Sequence, residues 1–127
     1  MRLRVALLGI ALALPSLAST GCRSGGAYEA ANVPDGVGLV VRNDNSYDLD
    51  VYAVADGLAT RIGNVNGIST REFSLSGSMY GAADFRIVAT PIGGNGRAST
   101  GSIVVSRGST VYFTIGPVLR QSTVSIR

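Results

Sequence analysis

The sequence predicts an all-β domain over residues 36–127, a small sandwich of about seven to eight antiparallel strands. Three features predict it. From Gly36 onward the chain breaks into short runs rich in β-branched and aromatic residues, punctuated by Gly, Asn, Asp, Ser and Pro. The runs recur every 8–14 residues, the rhythm of a sandwich or small barrel. Inside them apolar residues alternate with a period of two. No stretch holds a 3.6-residue period for three turns, so the amphipathic helices of βαβ units are excluded.

The expected strands follow in order. Val37–Val41 is the first apolar run. Leu49–Val54 puts Leu49, Val51 and Ala53 on one face, with Asp50 and Tyr52 on the other. Ala59–Val65 follows Asp56-Gly57, a dipeptide suited to a type I′ hairpin. Thr70–Leu75 alternates around Phe73 and Leu75, and Asp84–Thr90 around Phe85, Ile87 and Ala89. Gly101–Ser106 is expected to turn at Arg107-Gly108 into Thr110–Ile115, with Val111, Phe113 and Ile115 inward. Ser122–Arg127 comes last and is expected to lie at a sheet edge. The predicted core is Leu39, Val41, Val51, Phe73, Leu75, Phe85, Ile87, Val111, Phe113 and Ile115. An immunoglobulin-like or transthyretin-like sandwich accommodates this pattern.

Composition removes several function classes. The 127 residues contain no His, Trp or Lys, and the only cysteine is Cys22. Ser-His-Asp and Cys-His nucleophile pairs are therefore impossible, as is an imidazole base working near neutral pH. A Cys/His zinc site and an internal disulfide are equally out of reach. No cofactor is implied and no catalytic residue stands out, so the expectation is a protein that is not an enzyme. From Cys22 onward nine arginines face eight acidic residues, a net charge of +1. That balance gives no basis for nucleic-acid binding.

The N-terminus reads as an export signal. Arg2 and Arg4 are followed by the ten-residue apolar run Val5–Leu14, then by Ser19-Thr20-Gly21 and Cys22. Ten residues rise about 15 Å as a helix, too short for a hydrocarbon core of about 30 Å. The small residues before Cys22 resemble the lipobox of bacterial lipoproteins, although Ser19 stands where that family usually has Leu. The resemblance implies removal of residues 1–21 as a signal peptide and acylation of Cys22, whose lipid chains would anchor the protein in a membrane. Arg23 behind the cysteine, where enteric lipoproteins held at the inner membrane have Asp, implies the outer membrane or outer surface. Residues 22–35 are then the lipidated cysteine and a flexible tether, with Arg23–Asp35 spanning about 20 Å as a coil. The run VGLVVRN, LDVYAV, RIGNV and REFSL is similar to small uncharacterised β-sandwich lipoproteins of bacteria, a likeness that names no active site.

Within the domain the densest oxygen cluster is Asp44, Ser46, Asp48 and Asp50, with Asn43 and Asn45 beside it. Alternating oxygens suggest a calcium loop. The EF-hand pattern, however, needs Gly at its sixth position and Glu at its twelfth, where Leu49 and Ala55 stand. A polar hairpin turn explains the same residues. Asp48 and Asp50 together are a remote candidate for hydrolytic chemistry. Gly93–Thr100 lacks the Lys-Ser/Thr ending of a phosphate loop and reads as a contact loop between strands. Tyr47, Tyr52, Tyr80 and Tyr112 with Arg42, Arg61, Arg71 and Arg86 supply interface-type residues. Among these, Tyr52, Tyr112, Arg42 and Arg86 are the expected interaction set. The expected partners are membrane lipid through Cys22 and an envelope protein or a second copy. The alternative is an envelope polysaccharide stacked on the tyrosines, with or without calcium at the Asp44–Asp50 turn.

Overall fold

A computed structural model describes residues 36–127. The expected signal peptide 1–21, the lipidation site Cys22 and the tether 22–35 lie outside the described residues. The elements are β1 (Val37–Asn43), β2 (Leu49–Ala55), β3 (Leu58–Val65), β4 (Ser69–Leu75), α1 (Gly77–Tyr80), β5 (Phe85–Pro91), β6 (Ala98–Ser99), β7 (Thr110–Ile115) and β8 (Ser122–Ile126). They form two four-stranded sheets, β4-β1-β7-β8 and β3-β2-β5-β6, packed as a sandwich. No helix among the described residues is long and apolar enough to cross a membrane.

Alternation decides which face each strand buries. In β1, β2, β5 and β7 every second residue points inward, and these residues make most of the core. Phe85, Phe113, Leu39, Leu49, Ile87 and Ile115 are its largest members, each at most 1% exposed. The Asp56-Gly57 hairpin forms as expected, with Ala55 paired to Leu58 and both turn residues at positive φ, 49° and 84°.

Three expectations need correction. First, the strands are not all antiparallel, because β1 and β7 pair parallel, Leu39 opposite Val111 and Val41 opposite Phe113. The cause is the segment 100–109, which leaves β6 in the second sheet and carries the chain back to the end where β1 starts. Second, Gly101–Ser106 is that crossover and not a strand. Ile103 and Val105 do face the core, so the alternation is real. Yet Gly101 sits at φ 70°, outside strand geometry, and only the Ile103 N–H reaches β5, at the Phe85 carbonyl (2.8 Å). Third, Phe73 is half-buried rather than central. It lies on edge strand β4 opposite Leu39, with the Arg71 guanidinium 5.2 Å from its ring centroid.

The strand directions give the sandwich two distinct ends. Gly36, the β2–β3 turn and α1 share one end, tied by Gly108 N–H to Gly36 O (2.8 Å) and Asp56 N–H to Asp84 O (2.8 Å). The β1–β2, β3–β4, β5–β6 and β7–β8 loops gather at the other. Seven-residue β1 separates them by about 20 Å.

Candidate functional site

The gathered loops form an organised platform, built outward from two asparagines. Asn43 continues the inward parity of Leu39 and Val41, so β1 delivers an amide into the end of the core, where it is 0% exposed. A buried amide must find partners. Its Nδ2 donates to the carbonyls of Tyr47 (2.8 Å) and Asn66 (3.0 Å), and its Oδ1 accepts from Asn45 N–H (2.9 Å). Asn45, also buried, donates from Nδ2 to Pro117 O (2.7 Å) and accepts Tyr47 N–H on Oδ1 (2.9 Å). The Ile68 N–H donates to Asn45 O (3.0 Å), and Asp48 accepts Gly67 N–H on Oδ1 (2.8 Å) and Ile92 N–H on its carbonyl (2.9 Å). One loop, 44–48, is thus bonded to the other three.

Close approach sets a residue requirement at Gly67. A Cβ there would collide with the Ser46 carbonyl oxygen, so only glycine lets the β3–β4 turn seat against the β1–β2 loop. The next residue, Ile68, holds φ 52°, a conformation that β-branched side chains rarely adopt. Each of the four loops also exposes one apolar side chain. These are Tyr47 (55% exposed), Ile68 (71%), Ile92 (52%) and Val118 (54%). A shallow polar cleft of about 320 Å³, lined by Asn64, Asn66, Ser69, Thr70 and Arg71, flanks the platform along β3 and β4.

The expected interaction set does not form one patch. Arg42 and Tyr112 lie on the outer face of the first sheet, whereas Tyr52 and Arg86 lie on the outer face of the second. The core separates the two pairs, because strand parity sends all four side chains outward from different sheets. Tyr112 stacks under the Arg127 guanidinium at 5.3 Å, and Arg86 pairs with Asp84. The four tyrosines are likewise dispersed, with Tyr47 on the platform, Tyr80 on α1, and Tyr52 and Tyr112 on opposite sheets.

The three carboxylates of the suggested calcium loop are each taken up by other partners. Asp44 pairs with Arg42 (2.9 Å), Asp48 holds the Gly67 N–H, and Asp50 takes two bonds from Arg61 (2.6 and 3.1 Å). Ser46 is exposed on the loop. Among the described residues, no three His, Cys, Asp or Glu side chains come together as metal ligands. At the opposite end, Asp84 is held below the usual aspartate range by the Arg86 hydrogen bond, and then by the Ser102 hydroxyl at 2.9 Å.

Sequence reasoning missed Asn43 and Asn45 as organisers. For Asn43 the parity of β1 was the available signal, since 37, 39, 41 and 43 share one face; Asn45 lies past the end of the strand.

No protein-family model matches the chain, and no curated protein does either. Among solved structures, the chain is similar to the NMR structure of a protein from Eubacterium rectale, at 15% identity and a TM-score of 0.45, over 80% of this chain and 94% of that one.

Proposed function

We propose that this chain is a non-enzymatic, lipid-anchored envelope protein whose sandwich offers its four-loop platform to a protein partner. The observation that carries the reading is the polarity of the sandwich. The chain enters at Gly36, and the platform with its four exposed apolar side chains lies at the opposite end. Acyl chains on Cys22 would hold one end near a membrane, and about 20 Å of tether would leave the other end accessible. The cross-bonding by Asn43, Asn45 and Asp48 supports binding too, because loops already ordered lose little entropy on contact. Dispersal of the tyrosines favours contact through the loops over sugar stacking.

The test is photo-crosslinking in membranes of a bacterium expressing the full chain, with the reactive group at Ile68 on the platform or at Leu58 at the opposite end. The expected result is a discrete polypeptide adduct from position 68 and none from position 58, with Cys22→Ser releasing the chain from the membrane fraction. Adducts from 58 alone refute the platform reading. A Cys22→Ser chain that stays with the membrane refutes the anchor.

A further inference from the structure

The sandwich has four edge strands, and three carry features that discourage pairing with another chain. β3 presents Arg61 and is bulged, since Val51 pairs with Gly63 but Tyr52 pairs with Arg61. β4 sets Arg71 beside Glu72. β6 is two residues long. β8 has no such feature. Its sequence, STVSI, contains no charge, proline or glycine, and it pairs with β7 without a bulge. Among the described residues no strand lies on its outer side.

The backbone pattern says which groups face outward. Thr110 and Arg127 exchange two hydrogen bonds, N–H to O at 2.7 Å and 3.0 Å. Hydrogen-bonded pairs alternate along an antiparallel ladder, so Ser125 and Thr123 also bond to β7. Ser122, Val124 and Ile126 therefore direct their N–H and C=O groups away from the sheet.

We propose that two copies of this chain pair through β8, antiparallel, about a twofold axis at Val124. In that register Val124 faces Val124 of the second copy, and Ser122 faces Ile126. All three outward residues are matched, which gives about six interchain hydrogen bonds, and recentring on Thr123 or Ser125 leaves about four. Charge permits the match, because Arg127 falls opposite Gln121 and Thr123 opposite Ser125. An isologous contact of this kind closes on itself as a dimer. The two β4-β1-β7-β8 sheets become one of eight strands, and Ile126, 40% exposed, gains a neighbour. The twofold turns the loop ends in opposite directions, so a pair tethered as proposed above lies with its strands along the membrane. The pairing itself does not depend on the anchor.

The test uses the full chain purified in mild detergent, with its mass read by sedimentation. The wild type is expected to be a dimer. Val124→Pro should be a folded monomer, since the amide it removes points outward and the ladder to β7 stays whole. Thr123→Glu with Ser125→Glu sets like charges opposite each other and should weaken the dimer about tenfold, whereas Thr123→Glu with Ser125→Arg should restore it. Thr123 and Ser125 of the two copies form a non-hydrogen-bonded pair with Cα atoms about 4.5 Å apart, within disulfide range, so Thr123→Cys with Ser125→Cys should on oxidation yield a 123–125 link between copies, identifiable by peptide mass. A monomeric wild type overturns the proposal. So does a dimer whose mass ignores both the proline and the charge variants, or one that forms no 123–125 link.

Discussion

Removing the Asn43 side chain should cost more than removing most core methyl groups, although it is a polar residue at a strand end. Its amide makes three hydrogen bonds, to Tyr47 O (2.8 Å), Asn66 O (3.0 Å) and Asn45 N–H (2.9 Å). At about 1 kcal/mol net for each bond, Asn43→Ala should lose about 3 kcal/mol. For a domain of this size that lowers the thermal midpoint by about 12–24 °C. The loss should be local first, with amide exchange accelerating at Asn45, Gly67 and Ile68 before the sheets open. Asn43→Asp separates shape from donors. It keeps an oxygen for the Asn45 N–H but sets a second oxygen against two carbonyls, so at neutral pH it should be the worse variant. In acid the protonated carboxyl recovers one donor and part of the deficit should return. The assay is thermal and urea unfolding, with Ser46→Ala as an exposed control on the same loop. An Asn43→Ala protein as stable as that control would refute the argument that this amide organises the platform.

Three further predictions follow from the packing and the site. Phe113→Ala empties the centre of β7, where the ring is 1% exposed, and should cost about 3–5 kcal/mol by denaturant unfolding, without changing which loops react in crosslinking. Ile68→Gly removes the positive-φ strain of a β-branched residue, about 1–2 kcal/mol, against about 0.5–1 kcal/mol of added backbone entropy. The domain should become slightly more stable while partner capture by the platform falls, a pairing of effects that a merely structural Ile68 would not produce. Asp84 is held below the usual aspartate range in the folded chain, so its stabilising effect is present above the unfolded carboxyl range and is lost as pH falls through the folded value. The stability gap between wild type and Asp84→Asn should therefore close below about pH 4, as read by thermal midpoints across pH.

The local elements are legible in the residues alone. Seven of the eight expected strands form within a residue or two of their predicted bounds, because a period of two and a turn such as Asp56-Gly57 are properties of neighbouring residues. The same parity assigned Val111, Phe113 and Ile115 to the core. The crossover 101–106 marks the limit of such reasoning. Its alternation packs Ile103 and Val105 against the core as a strand would, but a ladder also needs a partner in register, and that partner is chosen elsewhere in the chain. That β1 and β7 run parallel, and that Tyr52 and Tyr112 look out from opposite sheets, follows from the packing of the whole domain. It alone brought Asn43 to Asn66 and Asn45 to Pro117, 23 and 72 residues apart. Those arrangements depend on how two sheets stack and where their loops then meet. The platform is a consequence of long-range packing, and beyond the parity that turns Asn43 inward no local pattern encodes it.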